Sequence, residues 1–310
     1  MHVSFIANPT DGRGRTRALV EAYARALPGR SDLLWTQGPS HARDLAREAV
    51  ARSDAVCVVG GDGTVSEVVN GLMPQPVPMV VVPTGSGNDF ASLVDCPRSP
   101  DDLARILDDG VGVRLDVIDC GDRYCANSVG IGFEAMVTYH SLTIRRLRGL
   151  PLYLLAVFKA LASYESIRYT ITIDAGAPLS GEFLRVSAGN GVRAGGGFYL
   201  NPGARPDDGL IDLCTVRRMS RARMLTILPA AIRGAHVGRR GIDVHRGATM
   251  TIAAERPFPM HIDGEYLGRV AGPFTMKVVG RCLPVLCRRG GTAWRHGELE
   301  RLLPGAGGSG

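Results

Sequence analysis

Asp62 stands among three glycines in GGDGTVSEVVNGL, Gly60 to Leu72, directly after the apolar run Ala55 to Val59. A carboxylate at a helix mouth has an ordinary structural use, because the first amides of a helix are unpaired and the macrodipole is positive there. Glycines on both sides leave the backbone bare, however, and bare amides at a helix N-terminus bind phosphate. A single strand, glycine turn and helix does not decide between the two uses. A second stretch, VVPTGSGNDFA, brackets Ser86 with Gly85 and Gly87 and then opens a short helix with Asn88 and Asp89. Two successive strands ending in such turns place both loops at the carboxyl edge of a parallel sheet, where open α/β folds bind ligands. Neither loop is a P-loop, since no lysine follows the glycines. GRGRTR, from Gly12, is no dinucleotide fingerprint, because Arg17 stands where the third glycine belongs. Phosphates here would be held by amides, with a metal or arginines supplying positive charge.

Two further acidic turns lie downstream. PDDGLID, Pro206 to Asp212, reads alone as a turn before a strand, and IDGEY, Ile262 to Tyr266, reads alone as an Asp-Gly hairpin with an exposed Glu265. Asp116 alone is a polar residue in an alternating strand. Thr64 and Glu67 have the spacing of a capping box, so Glu67 is expected to cap its own helix. The seven histidines form no metal-binding spacing, and His261 reads as structural.

The elements that position these residues follow from periodicity. Apolar runs at Val3 to Ala7, Leu33 to Thr36, Ala55 to Val59 and Met79 to Val82 read as strands, each followed by a helical pattern. Ser40 is the expected cap of HARDLAREAVA, and Ser99 with Pro100 opens DDLARILDDG. This alternation predicts a parallel sheet covered on both faces. After Arg123 the runs RYTITID, GLIDLCTV, ATMTIAA and FTMKVVG, separated by turn residues, predict an antiparallel sheet or sandwich, interrupted by helices over 137–163 and 219–235.

Composition narrows the class. The 310 residues, 45% apolar and 21% charged, suffice for two domains with separate cores. Seven cysteines without a CxxC pair suggest neither a disulfide framework nor a zinc site, which fits a reduced, cytoplasmic protein. The start MHVSFIANP lacks a leader pattern, and no apolar run reaches the ~18 residues of a membrane span. Net charge is +6, and the basic residues are arginine except Lys159 and Lys277. This balance allows docking on anionic surfaces. GAGGSG at 305–310 reads as a disordered tail.

Taken together, GGDGTVSEVVNGL and PTGSGNDFA resemble the diacylglycerol kinase catalytic domain family, soluble bacterial lipid kinases with sphingosine and ceramide kinase relatives. NPTDGRG at Asn8, LDVIDC at Leu115, NSVGIGFEA at Asn127, the long run from Gly189 through PDDGLID, and HIDGE at His261 match in the same order. The resemblance implies a Rossmann-like, parallel α/β nucleotide-binding domain over 1–121, with 283–303 returning to it. It also implies a β-rich antiparallel sandwich over 122–282, a tail at 304–310, and an active site in the cleft between the domains. It would assign nucleotide contacts to Asn8, Thr36, Gly61, Asp62, Gly63, Thr64, Glu67 and Ser86. Asp62, Asp89 and Asp116 would form an acidic network holding Mg²⁺ through water, and Asp208 with the carbonyls of Arg205 and Leu210 would hold a structural Mg²⁺. Glu265 would be the catalytic base. The implied reaction is ATP-dependent phosphorylation of a lipid-like alcohol, with NAD kinase or a silent lipid-binding protein as alternatives.

The chemistry of that reaction suits these residue types. Phosphoryl transfer needs neutralised phosphates, Mg²⁺ prefers hard oxygen ligands, and an alcohol nucleophile needs a carboxylate to take its proton. The chain departs from the family in NPTDGRGR, where many relatives have a serine and glycine after the proline, which leaves the role of Thr10 open. With no lysine near the motifs, Arg13 or Arg15 would meet the phosphates. For partners, the reading is peripheral contact with an anionic membrane, no nucleic acid, and compatibility with a homodimer. Two stretches could carry the membrane contact: Ser141 to Tyr164, where a basic cluster precedes an apolar helix, and the segment from Arg217 to Arg240. The first is expected to be a core helix, since its apolar residues run around most of the surface.

Overall fold

The computed structural model describes residues 1–288 except 145, 146, 148 and 165. The expected tail, residues 289–303 of the returning segment and the Arg145, Arg146, Arg148 cluster lie outside the described residues. The chain divides into two compact units, Met1–Val117 with the segment beginning at Val279, and Ile118–Val278. Both chain crossings fall inside strands, a few residues before the expected borders.

In the first unit β1 (Val3–Ala7), β2 (Ser31–Trp35), β3 (Ala55–Gly60) and β4 (Met79–Pro83) alternate with α1 (Thr16–Arg25), α2 (His41–Val50), α3 (Asp62–Leu72) and α4 (Pro100–Asp109). β5 (Val111–Asp119) follows. The sheet runs β4-β3-β1-β2, all parallel, and the end of the last strand of the chain joins β4 in parallel through Val285 and Met79. β1 and β3 are buried along their whole length, as expected for strands covered on both faces. Helices bury one stripe each: Val20 and Tyr23 from α1, Leu45, Ala46 and Ala49 from α2, Leu103, Ile106 and Leu107 from α4. Gly71 lets α3 lie tightly on α2, since a Cβ there would stand 2.2 Å from the Arg43 carbonyl oxygen.

The second unit holds β6 (Tyr124–Cys125), β7 (Ser128–Gly132), β8 (Ile167–Ile173), β9 (Leu179–Gly189), β10 (Ile211–Arg217), β11 (Ile242–Gly247), β12 (Thr249–Ala254), β13 (Phe258–Ile262), β14 (Glu265–Val270) and the start of β15 (Phe274–Cys287). Its strands pair antiparallel in the order β14-β13-β7-β9-β8-β12-β15, with β10 between β9 and β11. Val129, Ile131, Tyr169, Val186, Met260 and their neighbours form its core.

The single helix expected over 137–163 is two: α5 (Phe133–Thr143) and α6 (Gly149–Ser163). Pro151 lacks an amide proton and is tolerated only in a first turn, so a new helix starts just before it. α6 is a core helix on one side only. Ala156, Val157, Ala160 and Leu161 are buried, whereas Leu155 and Phe158 face outward, Phe158 with 53% exposed. The second expected helix forms α7 (Arg221–Ile232).

Candidate functional site

Register builds the glycine loops of the first unit. Ala7 lies level with Trp35 and Val59, and Val59 with Val82, so the loops starting at Asn8, Thr36, Gly61 and Thr84 leave the sheet side by side. Gly61 and Gly85 pack back to back: a Cβ on Gly61 would stand 3.0 Å from the Cα of Gly85, and one on Gly85 2.5 Å from the Cα of Gly61. The two glycine loops are thus one structure. Gly61 has φ −92, so the need for glycine there is contact and not a left-handed backbone. Gly63 is exposed and faces open space.

Asp62 opens α3, and its Oδ1 accepts from the Phe90 amide at 3.0 Å, at the head of the 3-10 turn Phe90–Leu93. Buried Asp89 immediately precedes that same turn, so Asp62 and Asp89 meet through adjacent backbone. Asp116, fully buried on β5, takes the amide of Arg281 at 2.6 Å. Thr36 is buried at the end of β2, and Ser86 is exposed at the tip of its loop. Asn8 Oδ1 accepts from both the amide and the hydroxyl of Thr10, at 3.0 and 2.8 Å, which gives Thr10 the task of closing its own loop. Asn88 Oδ1 closes the second loop by accepting from the Gly85 amide. The expected contacts of the Arg13 side chain lie outside the description, and Arg15 is exposed.

The capping expectations need correction at two positions. Glu67 does not form a box with Thr64. Its carboxylate reaches α2 and accepts from the amides of Ser40 and Ala42, at 2.8 and 3.1 Å. Ser40, with φ 65, makes no side-chain cap hydrogen bond, and Glu67 fills the cap from the neighbouring helix. Ser99 does cap α4, accepting from the Asp102 amide.

Asp11 is a residue that motif reading passed over. Its Oδ2 accepts from the Gly61 amide at 3.0 Å and lies 3.4 Å from the Thr64 hydroxyl. A carboxylate therefore sits on the amide expected to be bare, in the place suited to a phosphate oxygen. Arg288 was equally invisible. It grips Asp95 with both Nε and Nη2, at 2.9 and 2.7 Å, and its hydrogen bond holds the Asp95 carboxyl below its ordinary range. A bidentate pair of this kind pins the returning strand to the first unit.

In the second unit, Glu265 is carried on a hairpin. Asp263 and Gly264, with φ 47 and 83, form a two-residue turn with Ile262 opposite Glu265. Glu265 is 67% exposed and pairs with Arg123 at 2.8 Å. Asp263 is buried, and its carboxylate accepts from the amides of Ala126, Asn127 and Ser128 at 2.8, 2.9 and 3.0 Å. Behind the turn, His261 Nε2 lies 3.3 Å from Glu134, which pairs with Arg185 at 2.8 Å. Burial would raise the Glu134 carboxyl, yet the Arg185 charge and the His261 contact hold it below its usual range.

In the PDDGLID turn, Asp208 Oδ1 accepts from the Leu210 amide at 3.1 Å, and Arg205 lies 3.5 Å from Asp207. Asp212 is buried, with Oδ1 on Arg246 and Oδ2 without a hydrogen-bond partner. Burial, reinforced by the charge of Asp208, raises the Asp212 carboxyl. A buried, bare carboxylate oxygen beside a second carboxylate fits a hard cation. Among the described residues no three acidic, cysteine or histidine side chains gather into a metal cluster, so any such ion depends on carbonyls and water as well. No described helix is long and apolar enough to cross a membrane.

Comparison with known proteins covers both units. The diacylglycerol kinase catalytic domain family matches residues 2–120, and the YegS C-terminal NAD kinase beta sandwich-like domain matches residues 127–287. A diacylglycerol kinase from Bacillus subtilis (strain 168) is 30% identical over 283 residues, spanning 87% of this chain and 91% of its own. Among solved structures, a putative diacylglycerol kinase from Bacillus anthracis str. Sterne aligns with TM-score 0.74 at 22% identity, over 93% of this chain and 98% of its own. An NAD kinase from Archaeoglobus fulgidus in complex with ATP aligns with TM-score 0.55 at 15% identity, over 97% of this chain and 100% of its own, which is a likeness of fold.

Proposed function

The chain belongs to the diacylglycerol kinase catalytic domain family of lipid kinases, with a YegS-type C-terminal domain, and from that premise we propose that it transfers the γ-phosphoryl group of ATP to the hydroxyl of a membrane lipid or lipid-like alcohol. The observation that carries the reading is the fused pair of glycine loops, with Gly61 against Gly85 and Asp62 bound to the head of the Asp89 turn. Exposed amides around Gly63 and Ser86 suit the phosphates, and Asn8, Thr36, Thr64 and Glu67 shape the surrounding loops. Glu67 does so indirectly, by fixing the start of α2.

Asp62, Asp89 and Asp116 would hold Mg²⁺ through water, and Asp208, with the carbonyls of Arg205 and Leu210 and the bare oxygen of Asp212, would hold a second, structural ion. Bound Mg²⁺ neutralises phosphate charge. The chain's own part is to hold the phosphates on amides and to take the acceptor's proton on Glu265. Arg123 pairs with the Glu265 carboxylate at 2.8 Å and orients it. The family match across both units supports a lipid acceptor over NAD, since the NAD kinase likeness is one of fold.

Contact with an anionic bilayer would use the net charge of +6 together with exposed apolar residues such as Leu155 and Phe158. The deciding experiment supplies γ-labelled ATP and Mg²⁺ with fractionated lipid extracts presented in vesicles. Label in a chloroform-soluble product is expected. Label transferred only to a water-soluble acceptor would redirect the reading.

A further inference from the structure

We infer that His261 is a positioning residue that sets the turn carrying Glu265, with buried Glu134 fixing its tautomer. The inference rests on the reading of Glu265 as general base. Two of the sequence motifs converge at this point, Glu134 from NSVGIGFEA and His261 from HIDGE, and Arg185 joins them from β9. His261 is buried, with one ring nitrogen 3.3 Å from Glu134 Oε1 and the other accepting from the Gly264 amide at 3.3 Å.

The hydrogen-bond network assigns the protons. Glu134 is held ionised by Arg185, whose Nε donates to Oε2 at 2.8 Å, and an ionised carboxylate can only accept. The His261 Nε2 must therefore carry the proton it donates to Glu134. In the neutral ring that leaves Nδ1 as a bare acceptor for the Gly264 amide. Gly264 is the residue directly before Glu265, with φ 83, so the hydrogen bond fixes the Asp263–Gly264 peptide plane, one peptide before the one that carries Glu265.

The room for this arrangement is itself built. A Cβ on Gly130 would stand 2.1 Å from His261 Nε2 and 2.7 Å from the Glu134 carboxyl carbon, so glycine at 130 is what lets ring and carboxylate meet. Asp263 holds the other side of the turn through three backbone amides, so the turn is anchored on both flanks while the Glu265 side chain stays exposed. A base set on a rigid turn keeps its carboxylate at the reacting hydroxyl, where small misplacements are costly in rate.

The test is a double-mutant cycle on the full chain, read as kcat and KM for ATP. His261→Gln keeps a donor for Glu134, so the buried ion pair stays partnered and the fold is retained, but it offers Gly264 no acceptor at the Nδ1 position. His261→Asn places an amide oxygen near that position and restores the acceptor. We expect His261→Gln to lower kcat about tenfold with KM for ATP unchanged, and His261→Asn to recover most of it. In a Glu265→Gln background, neither substitution should lower the remaining rate further, because a residue acting through Glu265 has nothing left to act on. Equal losses in Gln and Asn, or the same loss with and without Glu265, would show a structural residue only and overturn the inference. Full activity in Glu265→Gln alone would instead remove the general-base reading, an outcome visible before the His261 arms are compared.

Discussion

The glycine loops of the first unit and the Asp-Gly hairpin of the second are built by different means. In the loops, each residue is placed by the strand that precedes it. Asn8, Gly61 and Thr84 arrive side by side because β1, β3 and β4 are in parallel register, and closure comes from neighbours such as Asn8 with Thr10 and Asn88 with Gly85. The hairpin supplies Glu265 by a local turn, but the position of that turn is set from far away in the chain. Asp263 is bound by residues 126–128, and His261 by Glu134. The loops depend on the close contact of their glycines, whereas the hairpin, built on buried charges, loses its geometry when a single partner is removed.

The largest expected effect lies in the hairpin. Glu265→Gln keeps shape and removes the base, so phosphoryl transfer should fall by ~10²- to 10⁴-fold. ATP affinity, measured by calorimetry on the same variant, should stay unchanged. Weakened ATP binding would mean that Glu265 serves the nucleotide or its metal, and the contrast drawn above would fail.

Buried charge also makes the second unit sensitive to acid. His236, buried beside Cys214, is pushed from 6.5 to about 4 by burial and by the charge of Arg185. The unfolded chain therefore takes up a proton below pH 6.5 that the folded chain refuses until about pH 4, and stability is lost as pH falls through that window. His236→Leu should flatten the slope of melting temperature against pH, by an amount on the order of 3 kcal/mol across the window. The same slope in both proteins would place the acid sensitivity elsewhere.

Gly63→Val probes the loops without disturbing their packing. Gly63 faces open space, whereas a side chain on Gly61 would press on Gly85 and disturb the packing of the loop pair. ATP affinity should drop at least about tenfold with the melting temperature preserved. Unchanged affinity would show that the amide cradle is not used. Asp11→Ser probes the same cradle in the opposite sense. Removing a carboxylate from the Gly61 amide should strengthen ATP binding by roughly three- to tenfold, consistent with the net worth of a charge-assisted hydrogen bond. Weaker binding in Mg²⁺ alone would make Asp11 a metal ligand instead.

The smallest effect concerns the PDDGLID turn. Asp208→Asn removes one charged oxygen beside Asp212, so the rise in melting temperature on adding Mg²⁺ should shrink, by the equivalent of about 1 kcal/mol. A wild-type protein whose melting point ignores Mg²⁺ would leave that turn with no ion.

The chain's own order of residues determined the parallel sheet, the two glycine loops and the acidic turns, because each depends on periodicity and turn chemistry within a dozen residues. Ser99 could be read as a cap for the same reason. The back-to-back contact of Gly61 and Gly85 could not, since it requires knowing that two strands are adjacent and level. Glu67 carried a local capping signal that tertiary structure overrode, because the amides of Ser40 and Ala42 lay within reach of its carboxylate. The partners of Asp11, Asp263, Glu134 and Arg288 carried no signal in the one-dimensional pattern. Each of these four is a charged residue whose partner lies 50 or more positions away, and only folding brings a buried charge to the group that makes its burial tolerable.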